Sequence, residues 1–256
     1  MAKKKFNIWE GIYETFEDAP RVGSGFSGHT WSSRSLAKMT AIIKLAKEKR
    51  VIPEFVVYRE NLLPILIALI SKKKKLKIVD FGGNLGQEYL SILESTNLRP
   101  EKIKYTVVEG ARVCAIGTKL FKGKKGIEFR TILPQANAGA DVIHIGSTLQ
   151  YIENWKKLFK EFANLKPSYI LFTDLQAGQN PTFVTSQNYY DSKIPVWYFN
   201  VSDIVREFKK LGFELVHKST FRGSFLGKEQ DRPMHNLPKK YRLKNACNLL
   251  FKKYER

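Results

Sequence analysis

The stretch Lys77-Ile78-Val79-Asp80-Phe81-Gly82-Gly83-Asn84-Leu85-Gly86-Gln87 constrains the fold more than any other part of the chain, because an apolar run ends in a turn punctuated by glycine. A second apolar run, Tyr105-Thr106-Val107-Val108, ends in Glu109. A buried strand, a tight turn, a helix and a second strand closed by an acid form half of a nucleoside site in a parallel α/β sheet. Gly82, Gly83 and Gly86 let the backbone turn sharply and approach a ligand. Glu109, 23 residues past Gly86, is placed to accept hydrogen bonds from two ribose hydroxyls.

Two common nucleotide sites fit poorly. The dinucleotide fingerprint needs glycine at its first, third and sixth positions, and counting from Gly82 the third is Asn84 and the sixth Gln87. A phosphate-cradling P-loop needs Gly-Lys-Ser/Thr where Gln87-Glu88-Tyr89 stands. What remains is a strand ending Asp-x-Gly, a turn closed by Gly86 and an acid at the end of the next strand, which resembles the S-adenosyl-L-methionine site of class I methyltransferases. The usual turn there reads Gly-x-Gly-x-Gly. Asn84 departs from it at the middle position, although asparagine enters the left-handed region more readily than most residues.

The rest of the chain alternates in the manner of a doubly wound sheet. Apolar spacing at Leu36, Met39, Ile42, Ile43 and Ala46 predicts a helix over 34–49, and a second is expected from about Glu60 to Ser71 with Pro64 near its first turn. The segments 9–13 and 23–31, aromatic and rich in glycine, read as loop. After the first strand come a helix carrying Leu90 and Leu93, a strand at 104–108, a short helix over 113–121, and strands at 126–130, 140–145 and 169–174. A helix over 151–165 aligns Trp155, Leu158, Phe159 and Phe162 on one face. A helix over 201–211 feeds a strand at 213–217, and the tail beyond Ser219 is expected to add one more edge strand. The expected fold class is α/β, a doubly wound, mostly parallel Rossmann-like sheet with an N-terminal helical and loop cap. Residues 1–75 read as the cap or lid and 76–256 as the catalytic domain.

Composition narrows the setting. No apolar run reaches the ~18 residues of a membrane span, and the basic start Met1-Ala2-Lys3-Lys4-Lys5 lacks an apolar segment behind it, so the expected compartment is the cytoplasm. Cys114 and Cys247 lack metal-ligand spacing and are too few for a disulfide framework, so no metal is expected. A formal charge of +20 favours a polyanionic neighbour, whether an anionic substrate, a membrane surface or RNA; a dispersed, solvating lysine surface is the alternative.

With these elements placed, the chain resembles a subgroup of class I methyltransferases often encoded in bacterial surface-polysaccharide gene clusters. The matching residues are Trp9-x-Gly11-x-Tyr13, Asp80 to Gly86, Val107-Val108-Glu109, Gly146-Ser147-Thr148-Leu149-Gln150-Tyr151, Thr185-Ser186-Gln187 and Pro195-Val196-Trp197-Tyr198-Phe199. The resemblance covers roughly 9–216. It implies S-adenosyl-L-methionine as cofactor and a small-molecule or glycan acceptor.

In that reading Asp80 lies near the cationic amino-acid end of the cofactor, Gly82, Gly83, Asn84 and Gly86 form its cradle, and Glu109 holds the ribose. Gly146, Ser147 and Gln150 stand beside the methionine moiety. Candidate bases are Tyr151 and Asp174 at strand ends, with His29 as a lid donor; packing, turn-capping and plain surface roles are their respective alternatives. Gln187 and Tyr13 are candidates to line the acceptor pocket. His144 reads as a packed core residue. The segment Asn180-Pro181-Thr182-Phe183 lacks the second proline of the amino-methylating box and carries no weight. Three functions stay open: sugar or small-molecule O-methylation, RNA methylation, and a basic scaffold that keeps the fold with a vacant site.

Overall fold

The computed structural model describes residues 6–47, 62–71, 75–225 and 228–254. In chain order the elements are β1 (Trp9–Tyr13), α1 (His29–Lys47), α2 (Leu62–Ile70), β2 (Leu76–Phe81), α3 (Gln87–Ser95), β3 (Ile103–Val108), α4 (Ala111–Leu120), β4 (Ile127–Arg130), β5 (Val142–Gly146), α5 (Trp155–Asn164) and β6 (Tyr169–Leu175). They continue through β7 (Ala177–Gly178), β8 (Phe183–Tyr189), β9 (Ser192–Asn200), α6 (Val201–Lys210), β10 (Phe213–Phe221), β11 (Ser224–Phe225), β12 (Lys228–Glu229) and β13 (Ala246–Lys253). Two compact units result: residues 26–146 with 162–173, and residues 1–25, 147–161 and 174–256. α1 and α2 fall in the same compact unit as the parallel strands that follow them.

In the parallel-sheet unit the strand order is β6-β5-β2-β3-β4, with every neighbouring pair parallel. The chain steps outward from β2 to β4 and then returns to the other side of β2, so the winding reverses between β2 and β5. Ligands of open parallel sheets bind outside the carboxyl ends at such a reversal. The strands are apolar on both faces because helices cover both, and Tyr105, Val107, Ile143 and Ile170 have no exposed surface. Gly117, inside α4, permits close packing on β4: a Cβ there would lie 2.3 Å from the Phe129 ring. On α2, Leu63 and Ile67 are fully buried, each worth ~1.5–3 kcal/mol in transfer free energy.

α1 starts earlier than the apolar spacing alone predicts. Ser32 Oγ donates to the carbonyls of Gly28 and His29 in the first turn, and the buried stripe Ser32, Met39, Ile42 follows the helical period. The expected helix ends at 48–49 and 60–61 lie outside the described residues.

The second unit is built on antiparallel pairing. Its first sheet has the order β1-β8-β9-β7. Residues 9–13, expected as loop, form strand β1, with Trp9 opposite Gln187, Glu10 opposite Ser186 and Tyr13 opposite Val184. The partner is supplied from more than 170 positions away: Thr185 Oγ1, 175 residues from Glu10, donates to the Glu10 carbonyl at 3.1 Å and to that of Gly11 at 2.7 Å. Gly11, at φ +77°, carries the irregular step in this pairing; a Cβ would strike the Tyr13 ring.

β8 and β9 form a hairpin closed by Tyr190-Asp191, with Tyr190 at φ 53°. Trp9, Phe183, Val196, Tyr198, Met234 and Leu237 build the core of this sheet. A second core stacks Phe208 between Phe159 and Phe251 at centroid distances of 4.2 and 4.4 Å. α6 is capped by Asn200, whose side chain accepts from Ser202 N at 2.8 Å, and Lys209 and Lys210 in its last turn suit the helix dipole. The tail does supply a strand, β13, antiparallel to β10, but it is not an edge strand: in the sheet order β10 stands at the edge and β13 inside it.

Candidate functional site

The turn after β2 is shaped from below and from the side. Asp80, with no exposed surface, holds the Tyr105 hydroxyl at 2.6 Å on Oδ2 and stands 2.8 Å from His144 Nδ1 on Oδ1. His144 Nε2 meets Thr173 Oγ1 at 3.0 Å, so a proton on Nδ1 lets the ring donate to Asp80 and accept from Thr173. Burial first, and the Asp80 charge second, hold the Tyr105 phenol well above its ordinary range, which keeps it a donor. Gly83 sits directly over this carboxylate: an added Cβ would lie 2.2 Å from Asp80 Oδ2. Gly82 and Gly86 take φ of 72° and 75°, a region L side chains rarely enter.

Asn84 also sits in that region, at φ 50°. Its main-chain N–H donates to Glu109 Oε1 at 3.2 Å, and Gly110 N donates to Glu109 Oε2 at 2.9 Å. The acid at the end of β3 therefore faces the turn after β2. Burial raises the Glu109 carboxyl above the usual range despite these two donors. The Asn84 side chain reaches α1, donating from Nδ2 to Ser35 Oγ at 3.2 Å, and its buried Oδ1 has no hydrogen-bond partner. Gly146, at the end of β5, is closely packed: a Cβ there would lie 3.1 and 3.2 Å from His144 and Thr173, which would have to give by a few tenths of an ångström.

The second unit holds a separate polar cluster. Tyr151 donates its hydroxyl to Gln187 Oε1 at 3.0 Å. Burial pushes its pKa to about 12, which keeps it a protonated phenol and a donor at neutral pH. Asp174, at φ 49°, receives Arg232 Nη2 on Oδ1 at 3.3 Å, while its own main-chain N–H donates to Asn248 Oδ1 at 3.0 Å. The Arg232 side chain is 4% exposed and lies 5.1–6.0 Å from the Phe225, Trp9 and Tyr198 ring centroids. Gln150, 1% exposed, donates to Ser147 Oγ at 3.2 Å and keeps a buried Oε1 without a partner. Ser147 is exposed, at φ 49°. Three of the five described non-glycine residues with positive φ, namely Asn84, Ser147 and Asp174, thus stand at or just past the carboxyl end of a parallel strand. Strain of this kind concentrates at functional sites.

A family model described as a methyltransferase domain matches residues 55–218. The chain belongs to that family. Its fold is the one shared by S-adenosylmethionine-dependent methyltransferases. A methyltransferase of Haloferax volcanii, solved in complex with its Trm112 activator, is 9% identical over 89% of this chain and 96% of its own, with a TM-score of 0.55. An S-adenosylmethionine-dependent methyltransferase of Clostridium acetobutylicum is 11% identical over 86% of this chain and 99% of its own, with a TM-score of 0.52. The 1,6-didemethyltoxoflavin-N1-methyltransferase of Burkholderia thailandensis, solved with that compound and S-adenosylhomocysteine, is 11% identical over 95% of this chain and all of its own, with a TM-score of 0.51. No curated protein matches the chain.

The residues of the methyltransferase fit a nucleoside thioether. A cradle that a single Cβ at Gly83 would fill, a carboxylate that only accepts hydrogen bonds, and the partnerless Asn84 Oδ1 suit ribose hydroxyls and amino groups. The structure brings together Gly82, Gly83, Asn84, Gly86 and Glu109. Asp80 lies beneath the turn, where Tyr105 and His144 engage its two oxygens. His29 stands in the first turn of α1, not in a loop, exposed and beside Ser33. The Tyr13 ring packs over Gly11 and against Phe16, Ala19 and Val184. Sequence reading missed Arg232 and Asn248, which bind Asp174, and Ser35, which binds Asn84. Arg232 is one of 44 basic residues, and nothing local marks it as buried.

Proposed function

We propose that this methyltransferase methylates an oxygen of a sugar or related small-molecule acceptor in the cytoplasm. The cofactor half rests on one observation, the contact from Asn84 N to Glu109 Oε1 across the glycine turn. The acceptor class rests on the resemblance carried by Trp9-x-Gly11-x-Tyr13 and Thr185-Ser186-Gln187, and those two motifs are paired strands of one sheet. Two unbridged, buried cysteines support a reducing compartment.

S-Adenosylmethionine supplies an electrophilic methyl on a cationic sulfur. Gly82, Gly83, Asn84, Gly86 and Gly146 would form its main-chain cradle and Glu109 would accept from its ribose, while the family resemblance assigns Ser147 and Gln150 to its methionine end. Asp174 takes the proton from the acceptor hydroxyl. Tyr151 and Gln187 align the acceptor, Tyr151 as a donor because it stays protonated. His29 and Tyr13 are the outer candidates, for a lid contact and an acceptor contact.

Calorimetry with S-adenosylhomocysteine tests the cofactor half. The wild type binds, and Glu109→Ala weakens binding about 100-fold, the loss of charge-assisted hydrogen bonds worth ~1.5–3 kcal/mol each; equal affinities reject the assignment. Transfer of a labelled methyl group to a panel of sugar nucleotides tests the acceptor half, and labelling of RNA in its place rejects it. The +20 charge favours RNA methylation as a second reading, whose mark is RNA affinity that falls steeply with salt.

A further inference from the structure

Four neighbouring strands of the parallel sheet each give one polar side chain to a row beneath the glycine turn: Tyr105 from β3, Asp80 from β2, His144 from β5 and Thr173 from β6. All four are buried, although strands covered on both faces ordinarily carry apolar side chains. Asp80 and His144 are register partners, so the contact between them crosses directly from β2 to β5. A buried carboxylate is costly to keep. Two parts of the proposed cradle rest on this row. Asp80 Oδ2 fills the place a Cβ would take at Gly83, and His144 Cε1 and Thr173 Oγ1 lie 3.1 and 3.2 Å from the place a Cβ would take at Gly146. His144 joins the two supports: it holds Asp80, which lies against Gly83, and its own ring lies against Gly146.

We propose that His144 is a positioning residue for the cofactor: as a neutral ring with its proton on Nδ1 it locks Asp80 and Thr173 in place, and so fixes Gly83 and Gly146 relative to each other. The inference rests on the assignment of the glycine turn to S-adenosylmethionine. Hydrogen-bond directions set the tautomer. A carboxylate only accepts, so Nδ1 donates to Asp80 at 2.8 Å, which leaves Nε2 to accept from the Thr173 hydroxyl at 3.0 Å. With both ring nitrogens engaged the imidazole has one orientation, and main-chain groups set on such a support keep the close placement that binding needs. His29, His217 and His235 are exposed, so His144 is the buried one of the chain's four histidines.

Long-range proton–nitrogen NMR of the full chain with isotope-labelled histidine reads the tautomer, and His144→Phe identifies the signal by its loss. The wild type is expected to show the proton on Nδ1. Asp80→Asn, whose amide offers the ring a donor, is expected to move it to Nε2. Calorimetry with S-adenosylhomocysteine reads the positioning. His144→Phe lowers affinity about tenfold or more, the scale of one charge-assisted hydrogen bond, while His144→Asn, which keeps a donor for Asp80, stays within about threefold of the wild type. In the Asp80→Asn background the loss from His144→Phe shrinks to about threefold, because the ring acts largely through that carboxylate. Binding stoichiometry reports the folded fraction, and Thr173→Val, which removes only the hydroxyl from the row, lowers affinity about threefold should His144→Phe not fold. A wild-type ring with its proton on Nε2 overturns the proposal. So does unchanged affinity in both His144→Phe and Thr173→Val, which makes the row a matter of packing. A wild type that binds no S-adenosylhomocysteine is a different failure: it removes the cofactor assignment, and this inference with it.

Discussion

The turn after β2 and the cluster around Asp174 solve the same problem by different means. At the turn, main chain does the work: three glycines, one left-handed asparagine and two N–H groups aimed at Glu109. Around Asp174, side chains far apart in sequence do it, since Arg232 lies 58 residues away and Asn248 lies 74 away. A main-chain device is written in consecutive residues and tolerates few substitutions. A side-chain device depends on packing that no local pattern announces, and disrupting it loses a part-buried ion pair.

That contrast predicts the largest effect for Arg232→Leu. The variant removes the Arg232 contact to Asp174 and takes a cation from three aromatic rings. Arg232 is buried but the Asp174 side chain is 20% exposed, so the loss falls below the ~3–5 kcal/mol of a fully buried pair, at about 2–3 kcal/mol, and lowers the thermal midpoint by roughly 5–10 °C in a chain of this size. Differential scanning calorimetry reads it directly. A midpoint within about 2 °C of the wild type, under ~1 kcal/mol on the same scale, would mean that the aromatic packing alone holds this unit.

Gly83→Ala is the matching test of the turn. A methyl 2.2 Å from Asp80 Oδ2 must displace either the carboxylate or the main chain, and overpacking of this kind costs ~1–3 kcal/mol. Urea unfolding should show it together with a loss of S-adenosylhomocysteine affinity. If stability falls while affinity holds, the turn is a structural corner and not a cradle.

The pH dependence sharpens the same comparison. Burial raises the Glu109 carboxyl above its ordinary value, so on acidification it takes up a proton earlier than a solvated glutamate and ceases to be a full acceptor. S-Adenosylhomocysteine affinity should therefore decline in a window that begins above the usual carboxylate range, and Glu109→Gln should flatten that profile by calorimetry. The stability term has the opposite sense. In the unfolded chain the carboxyl ionises first, so across the same window the folded state holds more protons and its stability falls as pH rises.

What could be read from the sequence follows the same division. β2, its turn, β3 and β5 were legible because apolar runs, glycines and an acid lie in order, and parallel strands buried on both faces are continuous in hydrophobicity. The α5 face was legible from its spacing, and Trp155, Leu158, Phe159 and Phe162 are all buried. β1 and the β8–β9 hairpin were not. Thr185 and Ser186 look like loop residues until their hydroxyls are seen to serve main-chain carbonyls of residues 10, 11 and 20, and Tyr190-Asp191 lacks the Asn-Gly signature of a two-residue turn. Asp80 shows the limit within the legible region. Sequence placed it at the right strand end, and only the positions of Tyr105 and His144 reveal that it faces inward.

The smallest predicted effect concerns Asn84, the residue that departs from the usual turn. Glycine there relieves left-handed strain of about 1 kcal/mol, and loses one hydrogen bond to Ser35 worth ~1 kcal/mol. The net change in stability is therefore below ~1 kcal/mol, since the two terms oppose each other. The difference appears elsewhere. Asn84 Nδ2 is a side-chain tie between the turn and α1, so Asn84→Gly and Ser35→Ala should both speed amide hydrogen exchange in 29–47, while only Asn84→Gly alters the turn's own backbone. Unchanged exchange in both variants would show that α1 is held by Met39 and Ile42 alone, and that the asparagine is a tolerated substitution with no task of its own.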